Sequence, residues 1–204
     1  MAVLLTRPRH DTATHYLYHW AGELIRVATE RKVDLVDLAK GKAKKKAIQS
    51  YLAKNVCDVV LINGHGDAVS VCGHDDEVII AVDDGDDLFK DKIVFIRSCE
   101  SGAVLGQAIM RKGAKGFVGY VQPYIIPFQE DSFHDPLKDE FAQPILESSN
   151  QVGISLLKGR TSLEAHADSL KKYDEKMDEL LTSGKSMTFL IPFLQWNRDF
   201  QIAR

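Results

Sequence analysis

The chain has 204 residues, 45% of them hydrophobic and 27% charged, with a formal charge of −3. That length suits one domain with a real core, and the faintly acidic balance gives no reason to expect a polyanion partner. No apolar stretch reaches the roughly 18–20 residues needed to span a bilayer, so no membrane partner is expected.

Residues 1–9 place a short apolar run ahead of Arg7 and Arg9, the reverse of a signal peptide. Residues 3–6 read as a short buried strand. From Asp11, an N-cap residue type, to about residue 31 the spacing of Tyr16, Trp20, Leu24 and Val27 is helical. Residues 33–38 alternate apolar positions with Asp34 and Asp37, as a strand near a sheet edge does, and residues 43–54 are helical again. The basic run Lys42, Lys44, Lys45 and Lys46 has no interleaved aromatics and reads as a solvated helix face. Val59-Val60-Leu61-Ile62 is a short β-branched run of the kind buried on both faces of a parallel sheet.

Two short apolar pieces, 69–72 and 78–82, predict a small hairpin outside the main sheet, followed by an acidic stretch, 83–87, and a helical turn at Leu88 and Phe89. A second fully apolar strand, Ile93-Val94-Phe95-Ile96, precedes a helix over 103–112 and a strand over 116–121. Beyond Pro123, residues 141–157 and 163–181 read as helices, 187–194 as a final strand and 196–204 as a tail or edge strand. Alternating strands and helices predict an α/β fold: a mainly parallel central sheet covered by helices on both faces, three layers α/β/α, with right-handed crossovers. A single domain over 1–204 is expected, its core about 1–122 plus 186–200, with 123–185 as a helical insertion or lid. Cys57, Cys72 and Cys99 form no disulfide framework, which predicts a cytoplasmic protein with at least one free thiol.

Each of the two most apolar strands runs into a small-residue loop bearing one reactive side chain: Asn63-Gly64-His65-Gly66 after the first, Arg97-Ser98-Cys99-Glu100-Ser101-Gly102 after the second. Sites in open parallel sheets form beyond the carboxyl ends of strands, which puts His65 and Cys99 on one edge. A thiol becomes a strong nucleophile beside an imidazole or a helix N-terminus. Cys99 is expected at the start of the following helix, with the amides of Gly66 and Cys99 as an oxyanion hole. Cys57 and Cys72 read as packing residues. His74 with Asp75 and Asp76 reads as a solvated turn, His15 and His19 as a surface pair, and no metal site or cofactor is expected.

A strand ending in His-Gly, then an apolar strand ending in Ser-Cys, resembles the caspase, gingipain, clostripain and separase superfamily of cysteine peptidases. The following Ser101-Gly102, the helix from Ala103 to Ala108 and Gly113-Ala114-Lys115-Gly116-Phe117-Val118-Gly119-Tyr120 look most like its CHAT and gingipain-like branch. The resemblance implies a caspase-like fold and a cysteine endopeptidase with a His65–Cys99 dyad and the Gly66 and Cys99 amides as oxyanion hole. It implies a protein or peptide substrate, with an activating protein partner or a homodimer as the switch. In this superfamily the residue two before the cysteine lines the pocket for the residue preceding the cleaved bond. Here that residue is Arg97, and caspases use arginines there, one from the loop after the first strand, where Arg7 and Arg9 stand. An acidic preference follows, since a guanidinium fork suits a carboxylate. Asp67, Glu100 or the 83–87 run are rival, negative pocket walls. The alternatives are a catalytically silent scaffold of the same fold and a flavodoxin-like small-molecule binder, the latter lacking a Gly-rich loop where Thr6-Arg7-Pro8-Arg9 stands.

Overall fold

The computed structural model describes residues 1–54, 56–182 and 186–204. The described residues form, in chain order, β1 (Ala2–Arg7), α1 (Thr12–Trp20), α2 (Gly22–Glu30), β2 (Asp34–Ala39), α3 (Lys45–Lys54), β3 (Val59–Asn63), β4 (Ser70–Cys72), β5 (Val78–Ala81), β6 (Ile93–Arg97), α4 (Leu105–Arg111), β7 (Gly116–Tyr120), α5 (Gln143–Leu157), α6 (Ser162–Thr182), α7 (Ile191–Phe200) and β8 (Gln201–Ala203). Six strands form one sheet in the order β2-β1-β3-β6-β7-β8; β4 and β5 make a separate antiparallel pair. Within the six-stranded sheet β8 runs against its neighbour, Val118 facing Ala203, and the other pairings are parallel.

The two-residue side-chain period of a strand sorts the core into two layers. Leu4, Val60, Ile62, Val94, Ile96 and Phe117 meet Ile48 and Leu52 of α3 and Leu105 and Ile109 of α4. Val3, Leu5, Val59, Leu61, Phe95 and Val118 face the other way, onto Leu24 and Val27 of α2, Val152 and Leu156 of α5 and Ala165 of α6. Burying each such apolar side chain contributes about 1.5–3 kcal/mol, and β3 and β7 are buried at every position. The mainly parallel, three-layer α/β/α architecture expected from the pattern is present. Within it α5 and α6 belong to the helical layer on the β1-β3-β6 face; the last residues of the expected 123–185 insertion, 183–185, lie outside the described residues.

Two local expectations change. The helix expected over 11–31 is two, meeting at Ala21, whose dihedrals stay helical while Leu24 N bonds Ala21 O three residues back, at 3.1 Å. The segment expected as a final strand, 187–194, is a 3₁₀ turn (Thr188–Leu190) leading into α7, with Pro192 in the first helical turn, where its missing N–H costs nothing. Leu190, Leu194 and Asn197 are buried at spacings of four and three, a helical stripe. The chain closes the sheet later, through β8. Among the described residues no helix is long and apolar enough to cross a membrane.

Candidate active site

β3 and β6 lie side by side in parallel register, Asn63 opposite Arg97. His65 and Cys99 each follow that last pair by two residues, so the two loops leave the sheet level with one another. Parallel neighbours sit about 4.8 Å apart, and the loops stay in contact beyond the sheet. Gly64 N donates to Arg97 O at 3.3 Å, and a methyl group at Gly66 would fall 2.8 Å from Ser98 Oγ and 2.8 Å from Ser70 O. The β4–β5 hairpin holds the histidine loop from its other side, with Cys72 N donating to His65 O at 2.8 Å.

His65 is paired. Its Nε2 lies 2.5 Å from Asp11 Oδ2, and both side chains are well over a third exposed. Asp11 is also the N-cap of α1: it accepts from Thr14 N at 2.8 Å, and its own N–H donates to Thr14 Oγ1 at 3.1 Å. Partial burial pushes its carboxyl up, but the hydrogen bonds from Thr14 and His65 outweigh this and hold it below the ordinary carboxylate value. Being an acceptor only, the Asp11 carboxylate takes a hydrogen bond from His65 Nε2–H and so favours the tautomer whose Nδ1 keeps its lone pair. Sequence reading found Asp11 as a cap; its contact with His65, 54 residues away, had no local signal.

Cys99 is half-buried, and all three cysteines are free thiols. Burial pushes up the thiols of Cys57 and Cys72. Among the described residues the amides of Gly66 and Cys99 donate to no protein acceptor, as an oxyanion hole requires. One expected support for Cys99 is missing: α4 starts only at Leu105 and is seven residues long. Residues 98–104 form a tight turn with Glu100 at φ 52°, tied down by Gly102 N to Tyr120 O and Leu105 N to Ala68 O, both 2.8 Å. A methyl at Gly102 would meet Ile202 Cγ1 at 3.0 Å, so that glycine serves packing against β7 and β8.

The three arginines differ. Arg97 is fully buried, donating to Asn63 Oδ1 at 2.8 Å, Ser149 Oγ at 2.9 Å and Asn150 Oδ1 at 2.8 Å. These partners are neutral, and its Nη2 has no partner among the described residues. Arg7 is paired with Asp37 and lies over the Tyr18 ring. Arg9 donates to His15 Nδ1 at 3.0 Å and borders a groove with Asp11 and Phe133. A second groove, about 520 Å³, runs from Asp11 and Thr12 past Tyr16 and Tyr124 to Phe128. Tyr124 Oη bonds Ser149, an Arg97 partner, at 2.8 Å. A third, about 590 Å³, between α2 and α5–α6 includes none of these site residues.

Among solved structures the chain is similar to the Porphyromonas gingivalis RgpB complex of pro- and mature domains, with a TM-score of 0.57 and 9% identity. It is similar in the same way to the Arg specific cysteine proteinase gingipain R, with a TM-score of 0.56 and 10% identity. The fold is caspase-like. The match covers 92% of this chain and 45% and 44% of those two, so this caspase-like unit spans less than half the length of either. No protein-family model matches the sequence, and no curated protein matches it. At such identity the likeness establishes the fold alone; chemistry has to be argued from the residues.

Proposed function

We propose that this chain is a cysteine endopeptidase with Cys99 as nucleophile, His65 as acid and base, and Asp11 as the residue that positions the imidazole. The observation that supports the reading is the parallel register of β3 and β6, whose last pair, Asn63 and Arg97, stands two residues before His65 and Cys99. In the reaction His65 Nδ1 takes the Cys99 proton and the sulfur bonds to the scissile carbonyl carbon. The carbonyl electron pair moves onto oxygen, which the Gly66 and Cys99 amides hold. Collapse breaks the C–N bond as His65 returns the proton to the leaving amine. Water then gives its proton to His65 and attacks the thioester; the C–S bond breaks and the thiol is restored.

The residue before the cleaved bond is proposed to be acidic. The Tyr124-lined groove opens beside Asp11, and Arg97 sits behind it with an unbalanced buried charge; Arg9 adds a second cation at the neighbouring groove. Arg7, neutralised by Asp37, is assigned a structural part. Since one structural neighbour is a complex of pro- and mature domains, activation here is assigned to a protein partner or self-association. A panel of fluorogenic peptides with Asp, Glu, Arg, Lys and Leu at that position tests the reading. Hydrolysis after Asp or Glu, abolished by Cys99→Ala and His65→Ala, is the expected result. Turnover of Arg peptides alone contradicts the acidic preference, and turnover that survives Cys99→Ala contradicts the mechanism.

A further inference from the structure

Two loops at the carboxyl edge of the main sheet and the turn of the β4–β5 hairpin bring His10, His65 and Asp76 together, each offering a ligand atom within 4.8 Å of those of the other two. His10 follows β1, His65 follows β3, and Asp76 closes the 3₁₀ turn between β4 and β5. Two imidazoles and a carboxylate are a donor set that suits borderline transition cations, zinc above all. The two histidines are half-buried and edge-on, with ring centroids 6.0 Å apart.

One further feature points to a cation. His10 turns Nε2 to Asp76 Oδ1 at 3.1 Å, its Nδ1 being buried with no hydrogen-bond partner among the described residues. On His65, the carboxylate of Asp11 occupies Nε2; such a carboxylate–imidazole pair fixes the tautomer and leaves the other nitrogen for an ion. His74 lies beside the cluster, its ring 5.3 Å from that of His10. It is already engaged: Nδ1 accepts the Arg9 amide at 3.2 Å and Nε2 faces Asp75 at 3.5 Å. Its part is packing.

We infer that His10, His65 and Asp76 form an inhibitory site for a divalent transition cation of the zinc class. The regulatory half of this inference rests on the peptidase reading, because His65 is shared. An ion on the imidazole occupies the lone pair that must take the Cys99 proton, so the cation-bound chain is silent and removal of the ion restores it. Zinc with nitrogen and oxygen ligands at about 2.0–2.2 Å sets tetrahedral donors roughly 3.4 Å apart. The cluster must therefore contract by on the order of 1 Å; the Asp76 side chain is 66% exposed and free to move.

The test uses the full chain stripped of metal, titrated with Zn²⁺ against a chromogenic chelator and with Co²⁺ by absorption. One ion per chain is expected, with a cobalt spectrum free of thiolate charge-transfer bands. Affinity should fall at least about tenfold in His10→Ala and in Asp76→Asn and stay unchanged in Cys99→Ala. Asp76 is exposed, so folding is not at stake in its variant. No binding, affinity unchanged in both variants, or a thiolate band lost with Cys99 overturns the site. Zinc bound through these residues by a chain that cleaves no peptide keeps the site and overturns the peptidase reading. Peptide turnover equal with and without saturating Zn²⁺ overturns the inhibition and leaves the peptidase standing.

Discussion

Asp11 does two jobs with one carboxylate, and the two can be separated by substitution. As an N-cap it satisfies orphan amides of α1; as a hydrogen-bond acceptor it sets the tautomer of His65. Asparagine caps a helix about as well as aspartate but carries no charge, while alanine does neither. Asp11→Asn is therefore expected to keep the unfolding free energy from urea titration within about 0.5 kcal/mol of wild type and to lower kcat/KM by about 10²-fold, mostly in kcat. Asp11→Ala adds a loss of about 1 kcal/mol in stability. A purely structural role would move both readouts in both variants together. Asp11 was legible as a cap because capping is local, and illegible as a partner of His65 because that contact depends on how α1 sits over the sheet edge. Arg97 shows the opposite limit. Its position two before Cys99 was plain in the sequence; its burial among Asn63, Ser149 and Asn150 depends on α5, more than 50 residues later.

At the scale of elements, the apolar strands and the small hairpin were readable because β-branched runs of four or five residues bounded by Gly and Asp have few other solutions. Residues 187–194 were not, since a short apolar run fits a buried strand and a helix alike. The signal that decides it, Pro192 just inside the helix, is one residue. Where α6 meets the late strand β8, His166 Nδ1 contacts Gln201 Oε1 at 3.0 Å, and Gln201 Nε2 donates to Tyr120 Oη at 2.9 Å. Burial holds the His166 imidazole below its ordinary value of 6.5, outweighing the Gln201 hydrogen bond. The unfolded chain thus binds this proton more readily than the folded one. His166 costs no stability above about pH 6.5, and below it stability falls by at most about 1.4 kcal/mol per pH unit until the folded-state value is passed. Urea titrations at pH 7.5 and 5.5 should show a smaller acid loss in His166→Gln than in wild type. An equal loss in both would contradict the buried-imidazole account.

For the whole molecule, a sheet with two sequential apolar strands at its centre does most of the work that the chemistry needs. β3 and β6 are fixed by cores on both faces, and their loops converge on the carboxyl edge, flanked by α1, the β4–β5 hairpin and the turn into α4. The shared carboxyl edge was legible in the strand–loop pattern; that β3 and β6 are direct neighbours was not, and comes from the sheet order. The helix N-terminus expected under Cys99 is absent, α4 starting only at Leu105, so in the proposed mechanism thiolate formation falls to His65 alone. The account's central claim is therefore a coupling between two residues. Its most direct test is labelling of the native chain by a thiol-reactive peptide trap bearing aspartate before the warhead, read by intact mass and peptide mapping. The account predicts one label, on Cys99, lost in Cys99→Ala and slowed at least tenfold in His65→Ala. Labelling of Cys57 or Cys72 instead, or Cys99 labelling at the same rate without His65, would contradict it.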